Sequence, residues 1–294
     1  MKKMENMGGF FVAAITPFDG EGRFNPAALH KLMDRTIEQG AAGFLIGGSS
    51  AECPLLSHKE RLEGLTFAAH YEGREKTKLM ASVASISTEE AKALIDTFPE
   101  VGSPIIIFTG GEPTLRPDVY ELAAYARDKG LRCVMSPNGT RITPEEARKI
   151  REAGFQRCSI SIDGADAASH DAFRGVPGAF EASMRGIENL KAEGVEFQIN
   201  TTVTKSNLHS FKEIFQLCER IGAAAWHIFL LVPMGRAAEI QEEVITAEEY
   251  EEVLHWFYDF RKTTKMHLKA TCAPHYYRIM RQRAHEEGVA VTPE

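Results

Sequence analysis

Eight short apolar runs alternate with amphipathic helical segments along almost the whole chain. Strands that alternate with helices pair in parallel through right-handed crossovers, and eight such units close into a barrel more readily than they form an open sheet. We therefore predict an α/β fold, a (βα)8 TIM barrel that forms a single domain over residues 1–294. A doubly wound sheet is the competing architecture, but no GxGxxG motif follows the first strand. The predicted strands are Phe11–Ile15, Phe44–Gly47, Leu79–Ala84, Ile105–Thr109, Arg132–Ser136, Cys158–Ile162, Phe197–Val203 and Trp226–Val232.

The helices between these strands have start and stop signals in the sequence. Asn25 followed by Pro26 places proline at the first helical position. Four segments have a serine or threonine three residues before a glutamate, which is typical of a capping box: Ser57–Glu60, Ser87–Glu90, Thr143–Glu146 and Thr246–Glu249. Glycines that suit a left-handed helix end follow five of the helical patterns: Gly40, Gly130, Gly154, Gly194 and Gly222.

Composition limits the classes of partner. The net charge of −7 argues against generic binding of nucleic acid or an anionic membrane. The five cysteines are odd in number and contain no CxxC spacing, so the simplest expectation is a reduced, cytoplasmic protein with a small-molecule ligand. The apolar run near the N-terminus is too short for a signal peptide or a membrane span.

The segment Ile105–Thr114 reads IIIFTGGEPT and is the strongest candidate for a ligand-binding loop. Four apolar residues are typical of a parallel strand that is buried on both faces, and a glycine pair allows a ligand to approach the backbone. An ordinary loop between a strand and a helix is the alternative, because glycine pairs are common there. In a barrel, the loops after the strands carry the chemistry. Arg236, after the last predicted strand, is an anion-binding candidate.

Residues 9–86 resemble the dihydrodipicolinate synthase and N-acetylneuraminate lyase family of aldolases. The matching segments are ITPF from Ile15, GGSSAEC from Gly47, LSHKER from Leu56 and the later SVASISTEEA. The resemblance implies that Ser49 and Ser50 bind the carboxylate of a pyruvate-like substrate. Catalysis in that family also uses a tyrosine in the fifth strand and a Schiff-base lysine in the sixth. The fifth and sixth predicted strands here contain neither residue, so aldolase chemistry by that mechanism is not expected.

Residues 87–294 resemble the radical S-adenosylmethionine enzymes. The segments TEEAKALIDTF, IIIFTGGEP, SPNGT, SISIDGADAASHDAFRG, FQINTTVTKSN and HIFLLVPMGRA match in order and spacing. The resemblance implies that the backbone of Gly110, Gly111, Glu112 and Pro113 holds the amino group of S-adenosylmethionine. It further implies that polar residues at later strand ends approach the rest of the cofactor or the substrate, namely Asn138, Ser161, Asp163 and Asn200.

The CxxxCxxC loop that binds the [4Fe–4S] cluster in that family is absent from the sequence. Reductive cleavage of the cofactor needs an iron held by three thiolates. Cys53 lies on the expected ligand-facing side, whereas Cys133, Cys158, Cys218 and Cys272 are expected to be buried or remote. We therefore expect no iron–sulfur cluster and no other metal.

Together the two resemblances predict a chimera, joined near residues 85–89, whose aldolase-like segment is 1–86 and whose radical-enzyme-like segment is 87–264. Residues 265–294 are expected to form a helical tail. The leading hypothesis is an engineered barrel that has lost both inherited activities and keeps weak affinity for S-adenosylmethionine or a small carboxylate. The alternatives are a Schiff-base lyase that uses Lys205 or another rim lysine, a radical enzyme with an unrecognised cluster site, and a non-catalytic binding protein. Asp163 and Glu112 lie where an acid and a base are needed, but we expect them to be two solvated carboxylates.

Overall fold

The structure is a computed structural model that describes residues 11–48, 51, 56–73, 77–81, 87–101, 104–232, 240–271 and 273–290. Its strands are β1 (Phe11–Ala13), β2 (Gly43–Ile46), β3 (Lys78–Ala81), β4 (Ile105–Phe108), β5 (Arg132–Met135), β6 (Phe155–Ser161), β7 (Glu196–Val203), β8 (Ala225–Leu230) and β9 (His267–Thr271). Its helices are α1 (Pro26–Glu38), α2 (His58–Ala69), α3 (Thr88–Val101), α4 (Val119–Asp128), α5 (Pro144–Ala153), α6 (Ala167–Arg174), α7 (Ala179–Ala192), α8 (Lys205–Leu208), α9 (Phe211–Ile221), α10 (Ala247–Thr263) and α11 (His275–Glu287).

The strands form two sheets. Three strands pair in the order β1-β2-β3, and six follow in the order β4-β5-β6-β7-β8-β9. Every neighbouring pair whose register is defined is parallel, as the alternation of strands and helices predicts. The prediction of an α/β fold with parallel strands is therefore confirmed.

The closed eight-stranded barrel is not confirmed. It required β3 to pair with β4, and within the described part of the chain these strands lie in different sheets. Strand β4 is also less buried than predicted, since Ile106 is buried while Ile107 is 36% exposed. Its outer edge has no partner strand among the described residues, which explains why an apolar run that seemed suited to a sheet interior remains partly accessible.

The chain divides into two compact units, one of residues 1–134 with the last two residues and one of residues 135–292. In the first unit, helices α1 and α2 cover the β1-β2-β3 sheet, and Leu29, Met33, Phe44 and Ala68 are buried in one cluster. In the second unit, the core lies between β8 and the helices α9 and α10. The Trp226 ring there packs against Phe211, Phe215 and Phe257, at centroid distances of 5.0, 5.8 and 5.6 Å.

The helix signals in the sequence are confirmed. Ser57 and Thr246 form complete capping boxes with Glu60 and Glu249, and all five predicted stop glycines have positive φ. The segment 265–294, expected to be a helical tail, contains helix α11 but also β9. This short strand was missed because HLKAT has only one strongly apolar residue and gains its stability from pairing with β8. No helix in the described part of the chain is long and apolar enough to span a membrane.

Candidate functional site

The loop after β4 holds the first group of predicted site residues. Gly110 has a φ of +136°, a conformation that L side chains rarely adopt. The next residues begin a 3-10 turn, Pro113–Leu115, and Glu112 caps it by accepting hydrogen bonds from the backbone N–H and the hydroxyl of Thr114, at 3.2 and 2.6 Å. The Glu112 carboxylate therefore shapes the loop that carries the glycine pair.

A cavity of about 280 Å³ opens beside this loop. Strand β4 and the glycine pair form one side, and residues of α3 and α4, such as Ile95 and Leu122, form the other. Two polar contacts fix the ends of these helices: Thr88 donates a hydrogen bond to Asp118 at 2.6 Å, and Arg116 forms an ion pair with Asp118 at 2.7 Å. Burial alone would raise the pKa of Asp118, but these two partners hold it below its usual value.

Neither backbone conformation nor packing requires a glycine at position 111, unlike at most of the other described glycines. Its φ is not positive, and a Cβ placed on it would meet nothing within 4 Å. By contrast, a Cβ on Gly139 would lie 2.8 Å from Ile160, and one on Gly186 would lie 2.2 Å from a backbone oxygen. Gly111 thus leaves an open approach to the backbone at the mouth of the cavity.

Asp163, predicted to approach the cofactor from the end of β6, is fully buried. One carboxylate oxygen accepts the backbone N–H of Thr202 at 2.7 Å, and the other accepts the guanidinium of Arg174 at 2.6 Å. The side chain of Asn207 donates to the Asp163 carbonyl at 2.9 Å. The expectation of a solvated carboxylate is wrong, because Asp163 instead ties β6 to β7, α6 and α8.

His170 completes this network. Its Nδ1 accepts the backbone N–H of Asp163 at 3.1 Å, and burial lowers the pKa of His170. These contacts were missed in the sequence because the motif SIDGADAASHDAFRG shows which residues are polar but not which of them fold back on the strand. Only the spacing of His170 and Arg174 along α6, one turn apart, could have suggested a shared partner.

The other predicted positions in this unit lie at three places. Asn138 is exposed, and its side-chain oxygen accepts the backbone N–H and hydroxyl of Thr140 at 2.9 and 2.8 Å, which forms a local turn. Ser161 and Asn200 are half-buried and are paired in register on β6 and β7. Lys205 is exposed at the start of α8, so no buried lysine supports the Schiff-base alternative there.

Ser161 and Asn200 belong to a larger polar row that the sequence did not reveal. The parallel register continues from Asn200 to His227 on β8 and to Lys269 on β9. Side chains two residues apart share a face, so Gln198 lies on the same face, and its amide donates to Asn200 and to Nδ1 of His227, both at 3.0 Å. We call the face that carries Arg157, Ser161, Glu196, Gln198, Asn200, His227, His267, Lys269 and Thr271 the polar face of the second unit.

Some predicted positions lie outside the described residues. These are the two candidate carboxylate ligands Ser49 and Ser50, the candidate anion ligand Arg236, and the thiols of Cys53 and Cys272. Their roles remain predictions from the sequence alone.

Two protein family models match different, overlapping parts of the chain. Residues 74–218 match the model of the radical SAM superfamily. This range includes the β4 loop, its cavity and the Asp163 network. Residues 6–108 match the model of the dihydrodipicolinate synthetase family. Both predicted resemblances are thus found, and the two matches overlap at residues 74–108.

Curated relatives point in the same direction as the first of these matches. An AdoMet-dependent heme synthase of Nitratidesulfovibrio vulgaris is 79% identical over 208 residues, which are 71% of this chain and 57% of that protein. An AdoMet-dependent heme synthase of Methanosarcina barkeri is 53% identical over 207 residues, or 70% of this chain and 59% of that protein. The chain therefore spans less than two thirds of the length of either relative.

A solved structure supports the fold. The enzyme anSMEcpe, in a complex with AdoMet and a peptide, superposes with a TM-score of 0.53 at 19% identity. The match covers 72% of this chain and 61% of that one. At this identity the likeness shows a shared α/β fold and nothing about the ligand.

These relatives correct two predictions. The expectation of an engineered barrel without an active site is wrong, since most of the chain is closely similar to named enzymes and the radical-enzyme alternative fits them better. The expectation of no iron–sulfur cluster is wrong by the same finding, because radical SAM enzymes use such a cluster together with S-adenosylmethionine.

The described thiols do not fit such a cluster. Cys133, Cys158 and Cys218 are all buried, and burial raises the pKa of Cys133 to about 11 and that of Cys218 further still, which disfavours the thiolate that iron requires. Within the described ranges, no three His, Cys, Asp or Glu side chains are grouped so that they could hold a metal ion. The described residues therefore supply no ligand set for such a cluster.

Proposed function

We propose that this chain is a radical S-adenosylmethionine enzyme that acts on a porphyrin precursor of haem. The observation that carries the proposal is the 79% identity over 208 residues to a protein named as an AdoMet-dependent heme synthase. The matched superfamily range, residues 74–218, contains the loop after β4 and the cavity beside it. A reduced, cytoplasmic setting and a small-molecule substrate remain parts of this proposal.

The loop after β4 is the proposed site for S-adenosylmethionine. The amino acid moiety of S-adenosylmethionine is a zwitterion, which needs both hydrogen-bond acceptors and donors. The backbone of the segment Gly110–Glu112 lines the mouth of the cavity and carries both kinds of group. The open space above Gly111 supports this assignment, because neither backbone conformation nor packing explains a glycine there. Glu112 and the pair Arg116–Asp118 hold the loop in shape rather than taking part in chemistry.

The aldolase-like part has a separate explanation. We propose that segments from two families are joined within residues 74–108, where both family models match. The predicted junction near residues 85–89 falls inside this interval. The boundaries 1–86, 87–264 and 265–294 remain predictions.

Calorimetry with S-adenosylmethionine tests the proposed site. We expect the wild-type chain to bind and Gly111→Ala to bind about tenfold or more weakly, because a methyl group would fill the approach to the backbone and separate the hydrogen-bonding groups. Gly20→Ala is the matched control, since Gly20 is also free of close neighbours and of positive φ but is remote from the loop in sequence. Absence of binding by the wild-type chain, or equal binding by Gly111→Ala, would contradict the assignment.

A further inference from the structure

The polar face of the second unit contains an imidazole with one free nitrogen. The amide nitrogen of Gln198 can only donate, so Nδ1 of His227 must accept and the proton of the neutral ring lies on Nε2. No hydrogen bond to Nε2 exists among the described residues, although His227 is half-buried. The Nε2–H of His227 is therefore a fixed donor that no described residue accepts.

Two basic side chains lie near this donor, Lys269 and Arg157, and Arg157 is itself paired with Glu196 at 2.7 Å. Burial lowers the pKa of His227 to about 3, and Lys269, His267 and Arg157 lower it in the same direction. Lys269 is the register partner of His227 on β9 and is exposed, and the ring of His267 lies 6.0 Å from that of His227. The ring thus remains neutral at physiological pH, and the neighbouring ammonium of Lys269 favours an anion here although the whole chain has a net charge of −7.

A second unsatisfied group lies on the same face. The hydroxyl oxygen of Thr271, two residues after Lys269 on β9, is buried and has no hydrogen-bond partner in the described structure. Buried polar atoms without partners are uncommon, and each requires an explanation such as an absent ligand or water. Thr271 pairs in register with Phe229, so the face next to His227 combines polar donors with one aromatic ring.

We propose that this face binds a carboxylate group of the substrate, with the Nε2–H of His227 and the ammonium of Lys269 as its donors. The substrate class rests on the proposed function, because haem and its porphyrin precursors carry carboxylate side chains. The hydrogen bond from Gln198 argues against the alternative in which His227 ligates the porphyrin iron, since that role needs Nε2 without its proton. Gln198 is then a positioning residue for His227.

Titration of the chain with haemin, followed by its Soret absorbance, tests the proposal. We expect Lys269→Gln to weaken binding about tenfold, which is the order of one charged hydrogen bond, and Lys269→Arg to restore most of it. His227→Gln should weaken binding to a similar degree and leave the Soret maximum of the complex at the same wavelength. Lys265→Gln is the matched control, because Lys265 is an exposed lysine just before β9.

The dimethyl ester of haemin isolates the carboxylate. The wild-type chain should bind the ester more weakly than haemin, and Lys269→Gln should then cause no further loss. The proposal is overturned if Lys269→Gln behaves like Lys265→Gln, if its effect is the same with the ester, or if His227→Gln shifts the Soret maximum. A wild-type chain that binds S-adenosylmethionine but not haemin would instead contradict the proposed substrate class, which is a separate result.

Discussion

Two strand ends that look alike in the sequence have opposite roles in the structure. The end of β4 and the end of β6 each place a carboxylate next to glycine, as TGGEP and SIDGAD. After β4, the carboxylate of Glu112 caps a short turn and leaves the glycine backbone open to a cavity. After β6, the carboxylate of Asp163 is fully buried and bound on both oxygens. A polar strand end is thus as well suited to holding elements together as to binding a ligand.

The largest expected effect is the loss of stability on removing Asp163, compared with the removal of Glu112. Asp163→Ala should lower the free energy of unfolding by about 3 kcal/mol, because it leaves the N–H of Thr202 without a partner and removes the buried half of an ion pair. The value is at the low end of the range for buried pairs, since the side chain of Arg174 is 35% exposed. Glu112→Ala should cost only about 0.5–1 kcal/mol, the usual effect of losing a cap.

Urea denaturation of both variants measures this difference. Equal losses of unfolding free energy in the two variants would contradict the claim that Asp163 holds elements together while Glu112 only caps a turn. A loss at Asp163 that Asp163→Asn fully recovers would show that its hydrogen bonds, and not its charge, connect β6 to β7.

The two glycines of the loop after β4 are expected to respond differently to substitution by alanine. Gly110→Ala should destabilise the chain by about 1 kcal/mol, because its φ of +136° is unfavourable for alanine. Gly111→Ala should change the free energy of unfolding by less than about 0.5 kcal/mol, as for other substitutions at open sites. Urea midpoints distinguish the two, and a large loss at Gly111 would mean that the fold, and not a ligand, requires that glycine.

A separate expected effect concerns pH and the second unit. Because the pKa of His227 is about 3 in the folded state and 6.5 in the reference state, the unfolded chain binds more protons between these values, so stability falls as pH decreases from 6.5 towards 3. His227→Gln should remove this contribution, by at most about 1.4 kcal/mol per pH unit. Unfolding curves at pH 5 and 7.5 check it, and an unchanged pH dependence in the variant would contradict a buried neutral ring.

Features that depend on a few adjacent residues were predicted correctly more often than features that depend on contacts between distant segments. The caps at Ser57 and Thr246 and the glycine helix ends follow from a few adjacent residues, and they are confirmed. The closure of the barrel depended on pairing between β3 and β4, and no property of either segment alone determines that pairing. Strand β9 was missed for the same reason.

In the candidate site, too, local features were predicted from the sequence and contacts between distant segments were not. The loop Gly110–Pro113 was identified from its own sequence, because glycine next to a strand has a direct conformational meaning. The burial of Asp163 could not be predicted, since its partners Thr202 and Arg174 come from other elements. The contact between Gln198 and His227 depends on the register of β7 and β8, which a sequence does not give when both faces of a strand carry mixed residues.

Hydrogen exchange with and without S-adenosylmethionine tests most directly whether the loop after β4 is the cofactor site. The account predicts slower exchange of the backbone amides from Gly110 to Arg116 in the presence of the cofactor, and no change in the amides that surround Asp163, which are already buried. Protection that appears only elsewhere, or not at all although the cofactor is bound, would contradict the assignment of this loop.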